Sequence, residues 1–312
     1  MAGSPSVEDE GPHFPRPEDS DNWQESLAFH FYDPRSRVTG YHHVGLQRKI
    51  DRADIWSWLA VEGRMIHCFQ HLDLRLPERD FPDFRLGPLG VGTTTPLTGR
   101  HVTIEDEKAQ LSLHYQGFGD PVHYGNSSGS SGNFAHGHFE TLGRAVGELT
   151  IDGKVIAVDA WAFDDRSWGE RQWKDILTFR FFWANFGSDL HLAVYAPTGP
   201  SGPRVFGYLH DRGIQHEVVD VELSVRVASN GLYANGLEAV VWTRDGGGYQ
   251  LTGRTDGNFV TTQRQGFMES GSPCRMEMNG RVGAGMLEFA ELKKPTPEII
   301  SRFGLMKHPE DM

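Results

Sequence analysis

The sequence predicts an all-β protein, with an antiparallel barrel or sandwich in each of two domains, on three observations. Apolar and polar residues alternate in short runs along most of the chain, the period of a half-buried strand. Hairpin dipeptides join many of these runs: Asp152-Gly153, Asn230-Gly231, Gly246-Gly247, Asp256-Gly257 and Asn279-Gly280. A length of 312 residues, 38% of them hydrophobic, suits two ordinary domains with a core each.

Residues 1–21 are acidic, rich in Pro and Ser, and lack an apolar period, which predicts a loose N-terminal arm. The first domain then runs over 22–170. A short strand through Trp23 and Phe29 to Tyr32 ends at Asp33-Pro34, and Tyr41–Arg48, Ile55–Val61 and Met65–Leu72 alternate as an antiparallel meander. Trp56 and Trp58 share one strand face, either as core or as the wall of an aromatic pocket. His42 and His43 point to opposite faces. Residues 77–96, rich in Pro, Gly, Asp and Thr, read as a lid, binding loop or crossover. Strands resume at Arg100–Ile104 and at Gln110–Gly117, where Ser112 and His114 lie on the polar face. Residues 120–132, with Tyr124 and a Ser/Gly run, read as a gating loop or a plain linker.

Residues 134–173 form the stretch on which the chain turns. On a strand, His136, His138, Glu140 and Arg144 share one face, and Phe139, Thr141 and Gly143 the other. Asp152-Gly153 supplies a two-residue turn, and Lys154–Trp161 returns as the second strand. Asp165, Arg166, Trp168 and Arg171 then fall in a segment that reads as a rigid polar corner tied by Arg–carboxylate bonds.

The second domain, 171–293, opens on the most aromatic strand, with Phe179, Phe181, Phe182, Trp183 and Phe186, and continues through strands of regular length and spacing. A tail over 294–312 carries a short helical stretch at Pro297–Phe303.

A net charge of −12 argues against nucleic acid or an anionic membrane as partner. With no apolar run near twenty residues and no signal-like N-terminus, no membrane span is expected, and the cytoplasm is the expected compartment. Cys68 and Cys274 are expected as buried thiols. A monomer and a homodimer are both compatible with the sequence.

The elements His138-Phe139-Glu140 with Gly143, and Asp165-Arg166-Ser167-Trp168-Gly169-x-Arg171, resemble those of the AttH and carotenoid 1,2-hydratase-like superfamily, which includes kievitone hydratase and fungal Diels-Alderases. In the bacterial subgroup that it resembles, the second motif begins with Arg, where this chain has Asp164. The resemblance implies two tandem lipocalin-like β-barrels or sandwiches, a ligand pocket between or within them, and cofactor-free chemistry on hydrophobic compounds.

Two chemistries fit His136-x-His138-x-Glu140. Imidazoles two apart on a strand can chelate a metal ion, but Glu140 stands nearer than a cupin-type site places its carboxylate, and no second His pair completes the set. General acid–base catalysis by His138 and Glu140 is the expected reading, with no metal and no cofactor. Burial and mutual attraction shift such a pair in opposite directions, which can poise it near neutral pH. In that reading Tyr124, His136 and His114 make further polar contacts to substrate. Trp56, Trp58, Phe182 and Trp183 form the apolar wall, and Asp165, Arg166, Trp168 and Arg171 hold the corner. The expected function is a cofactor-independent lyase, of hydratase, dehydratase or aldehyde-releasing type, on a hydrophobic aromatic or isoprenoid compound. An isomerase or cyclase on such compounds, and a ligand-binding protein that performs no chemistry, are the alternatives.

Overall fold

A computed structural model describes residues 5–124, 135–171, 176–199, 201–227, 234–257, 259–262 and 267–292. The chain divides into two units, Met1–Arg171 and Gln172–Met312. The predicted Asn230-Gly231 turn, most of the predicted gating loop and the tail helix lie outside the described residues.

The first unit is a curled open sheet. Its strands are β1 (Trp23–Asp33), β2 (Val38–Gln47), β3 (Arg52–Val61), β4 (Arg64–Leu74), β5 (Phe84–Leu86), β6 (Leu89–Thr95), β7 (Gly99–Glu105), β8 (Ala109–Gly117), β9 (Val122–His123), β10 (Gly137–Ile151) and β11 (Lys154–Glu170). Their order is β4-β3-β2-β1-β11-β10-β8-β7-β6-β5, with β9 on β10. The stretch 77–96, expected as a long connection, instead carries β5 and β6: Leu86, Leu89 and Val91 turn into the core despite the glycines around them. Cys274 is buried as expected, but Cys68, on β4, the last strand of its sheet, is exposed.

The β10–β11 hairpin sets the frame. Asp152 (φ 49°) and Gly153 (φ 76°) both occupy the left-handed region that a two-residue turn needs, so Ile151 pairs with Lys154. From there the ladder runs without a bulge to Gly137 opposite Trp168, and β1 pairs with β11 in unbroken register from Tyr32–Trp161 to Trp23–Glu170. The expected polar corner is therefore strand, and strand geometry sends its side chains to two faces. Asp164, Arg166 and Trp168 share a face with Leu27, Phe29, Val44 and Ile55, which belong to the unit's apolar core. Asp165 and Ser167 share the other face with His138 and Glu140.

On the core face the polar residues neutralise one another. Arg100 pairs with Asp164 (Nε to Oδ2 3.1 Å) and with Glu10, all three buried. Arg166 donates to Glu25 (Nη2 to Oε1 2.7 Å) and stacks over Phe81, and Arg48 bridges Glu25 to Asp80. Burial pushes the Asp164 carboxyl up and Arg100 pulls it back, with the net direction upward. Part of the expected loose arm belongs to this network. Glu10 accepts from Leu97 N (2.6 Å), Arg166 donates to the Glu10 and Gly11 carbonyls, and His13 stacks on Trp168 with centroids 3.5 Å apart. Low hydrophobicity predicts disorder only where no charge awaits the segment, and here two buried guanidinium groups do. Gly137 leaves room for the same indole, since a Cβ there would stand 2.2 Å from Trp168.

The second unit holds β12 (Thr178–Asn185), β13 (Leu190–Tyr195), β14 (Thr198–Gly199), β15 (Gly202–Pro203), β16 (Phe206–Asp211), β17 (Ile214–Val227), β18 (Ala234–Thr243), β19 (Gly248–Thr255), β20 (Phe259–Thr262), β21 (Phe267–Met278) and β22 (Arg281–Leu292). Because β12 pairs with both β13 and β22, eight of these strands close into a barrel around Leu192, Leu237, Met276 and Leu287. Among the described residues no helix is long and apolar enough to cross a membrane.

Replacing Arg100 by Met should lower unfolding free energy by about 3–5 kcal/mol, because it leaves Asp164 and Glu10 buried without their cation. Urea denaturation followed by tryptophan fluorescence checks this, and a change below about 1 kcal/mol would show that the network adds little.

Candidate functional site

Glu140 and Asp165 are directly paired across the hairpin, and His138 stands two residues along on their face. The His138 Nε2 lies 3.5 Å from Glu140 Oε2 and within closer contact of Asp165 Oδ2. Tyr124 donates its hydroxyl to Glu140 Oε1 (2.7 Å), and its ring centroid is 4.8 Å from that of His138. Its backbone N–H donates to the His138 carbonyl (2.9 Å), which fixes the approach of residue 124 to β10. His138, Glu140 and Tyr124 are buried, and Asp165 retains 9% of its surface.

Burial by itself would strip the His138 imidazole of its proton. The Asp165 and Glu140 carboxylates outweigh that penalty and raise its pKa to about 9, so at neutral pH the site holds an imidazolium between two carboxylates. Nearby, Arg171 donates to Ser167 Oγ (2.9 Å) and Ser26 Oγ (3.3 Å), and burial lowers its pKa to about 10. Two strands from Asp165, across Ala28, stands His43, stacked on Trp56 at 4.1 Å. Burial, then the Arg171 charge, depress His43 to about 3, and Asp165 opposes them, which makes it a neutral imidazole at physiological pH.

The structure brings His138, Glu140 and Tyr124 together as expected in one cluster, and adds Asp165 as a direct partner. Trp56 and Trp58 lie on the same face of the sheet, Trp58 stacked on Tyr41 at 5.3 Å. Other expectations need correction. His136 is exposed and precedes the first residue of β10, so strand alternation does not carry it to the side of His138. His114 is exposed, stacked on His101, and paired with Val146, six residues from Glu140 or roughly 20 Å along the strand. Arg166 and Trp168 belong to the opposite face, and only Asp165 and Arg171 of the expected corner approach His138 or His43. Phe182 points into the packed core of the second unit's barrel, and Trp183, next to it, is buried on the other face of β12.

Sequence reasoning missed Asp165 as a partner of His138, and missed His43. Counting register outward from the Asp152-Gly153 turn would have placed Asp165 opposite Glu140. It also missed a polar chain on the core face, in which His42 Nδ1 meets Ser57 Oγ (3.0 Å), Ser57 meets His67 Nε2 (3.4 Å), and His67 Nδ1 meets Asp106 (3.0 Å).

A chelate of His136 with His138, the reading the sequence disfavoured, does not assemble. A different trio, His138, Glu140 and Asp165, has candidate ligand atoms within 4.8 Å of one another and is the set that could hold a divalent cation. To hold a cation there, His138 would give up the proton that it shares with Asp165.

A model of a domain of unknown function, DUF7064, matches residues 6–293. Among curated protein sequences none matches the chain. Solved structures do. A putative AttH from Nitrosomonas europaea is 13% identical with a TM-score of 0.63, covering 90% of this chain and 97% of its own. Kievitone hydratase from Nectria haematococca is 10% identical with a TM-score of 0.63, covering 93% and 94%. CghA, solved with Sch210972, is 14% identical with a TM-score of 0.68, covering 88% and 90%. The fold implied by the superfamily resemblance is the fold that these structures share.

Because His138 titrates near 9 when folded against 6.5 for the free side chain, it binds its proton more tightly in the native state. Its contribution, on the order of 3 kcal/mol, should be whole below pH 6.5 and lost as pH rises through about 9. Thermal melts of wild type and His138→Gln between pH 6 and 10 should therefore converge at the alkaline end. A constant gap would refute the assignment.

Proposed function

The chain belongs to the DUF7064 family, and from the site it carries we propose that it is an enzyme: a lyase that removes or adds a small neutral molecule, water or a small aldehyde, on a hydrophobic aromatic or isoprenoid compound. The observation that carries this reading is the His138 imidazolium held against Glu140 and Asp165, with Tyr124 on the outer oxygen of Glu140. A buried group that holds a proton beside a group that can accept one is what an elimination requires.

In the dehydration direction Glu140 takes a proton from the carbon next to the departing hydroxyl. The C–H electron pair becomes the new double bond, the C–O bond breaks, and the Nε2 proton of His138 leaves its contact with Asp165 for the leaving oxygen, which departs as water. Asp165 keeps the imidazole oriented and favours its charged form before the step, and proton return from Glu140 to His138 restores the site. Tyr124, by donating to Oε1, leaves Oε2 as the basic oxygen. Every proton in this cycle is moved by side chains of the chain itself, so the proposal includes no cofactor.

The similar structures support the direction without fixing the reaction: one is named a hydratase, and the superfamily that the motifs resemble also includes Diels-Alderases. The second favours an alternative in which the same proton donor activates a polyene for cyclisation. A protein that only binds such compounds would need no imidazolium between carboxylates.

Incubation of the metal-depleted protein with a pool of aromatic and isoprenoid metabolites, read by mass spectrometry, should reveal a product differing by water or by a small aldehyde. A product of unchanged mass would select the isomerase or cyclase reading, and ligand retained without product would select a binding protein. Glu140→Gln should keep the fold and ligand binding and lower kcat by about 10²–10⁴-fold. In wild type kcat should fall as pH rises through about 9, where His138 loses its proton; a rate still level at pH 10 would rule out His138 as the acid.

A further inference from the structure

The face that carries His138 has a low point. Across the sheet, Glu140, Asp165, Ala28, His43 and Trp56 follow one another as direct cross-strand neighbours. Asp165 and Trp56 are buried, as are the residues before and after Ala28 and His43 along their own strands. Yet Ala28 and His43 themselves are only half-buried. Ala28 offers only a methyl group between Asp165 and His43, and the partial exposure of Ala28 and His43 marks a shallow opening to the outside there. Arg171 over Ser26 and Ser167 borders it on one side. The stacked rings of His30 and Tyr41, 4.1 Å apart, border it on the other.

His43 is suited to contact whatever enters. Its ring is held flat against Trp56, with centroids 4.1 Å apart and planes 10° from parallel. No hydrogen bond engages either of its nitrogens among the described residues, and its Nδ1 is buried without a partner. The Nε1 of Trp56, on a side chain only 5% exposed, likewise has no partner. A buried donor left unmatched costs about 1–3 kcal/mol, a cost that an oxygen acceptor on a ligand would remove.

We infer that His43, buttressed by Trp56, is a second polar contact of the same site. It holds an oxygen at the far end of a flat, elongated substrate whose reacting end lies at His138, Glu140 and Asp165. Two strand spacings separate Asp165 from His43, about 10 Å along the sheet, which is the length of two directly linked six-membered rings. The bordering rings favour a planar conjugated skeleton over a bulky one. The substrate class is thus a rigid aromatic or polyene with a hydroxyl or carbonyl at each end. This rests on the proposed reading only in assigning His138, Glu140 and Asp165 as the reacting end.

Equilibrium dialysis with biphenyl-4,4′-diol and 4-hydroxybiphenyl separates the two ends. The diol should bind wild type about 3- to 10-fold more tightly than the mono-ol, the worth of one added hydrogen bond. In His43→Phe, which keeps the stack on Trp56 and removes both nitrogens, that ratio should fall to about one. Circular dichroism confirms that the variant is folded, and His43→Leu takes its place if it is not. Equal affinity in wild type, failure of both probes to bind, or a ratio that persists without His43 would each overturn the inference. The ratio behaving as stated while no metabolite is ever converted would leave this contact standing and remove the catalytic reading. Conversion with no preference for the diol would do the reverse.

Discussion

The bulge-free register of the β10–β11 hairpin is the constraint on which the rest depends. One turn, Asp152-Gly153, fixes every pair from Ile151–Lys154 out to Gly137–Trp168. Side chains alternate with period two, so a slip of one residue would exchange the two faces of both strands. It would send Glu140, His138 and Asp165 into the apolar core and bring Arg166 and Asp164 to the face now occupied by the site. A turn type that admits only residues tolerant of positive φ is a secure anchor for so long a ladder.

The two faces solve opposite electrostatic problems. On the core face, the charges of Glu10, Glu25, Asp80 and Asp164 meet those of Arg48, Arg100 and Arg166. Their role is to let polar strand residues be buried and to tie residues 10–13 to the sheet. On the other face a single imidazole lies between two carboxylates, with a phenol donating to one of them. That arrangement leaves a movable proton and an excess of basic oxygen, which a purely structural ion pair would not need. The same sheet therefore carries a rigid frame and the candidate site one peptide apart, at Asp164 and Asp165.

The comparisons fit this division. Solved structures 10–14% identical share the architecture over nearly the whole chain, so it is kept through almost complete change of sequence. Their names differ in chemistry. In this chain the fold provides a sheet face on which buried polar side chains are set at defined pairings.

By itself the sequence determined the all-β class, most strands of both units, and the grouping of His138 with Glu140 on one face, because period-two alternation and turn chemistry are local properties. It was misleading where partners come from afar. The charged arm looked unstructured because Arg100 and Arg166, which receive it, lie 90 and 156 residues away from Glu10. The segment from Asp164 to Arg171 looked like a corner because its density of charge hid the continuing strand. His43 carried no local signal, and His114 and His136 carried a false one, since histidines look alike until burial and register separate them. Only the tertiary structure decided those cases, because long-range strand pairing, not composition, sets which buried group finds a counter-charge and which does not.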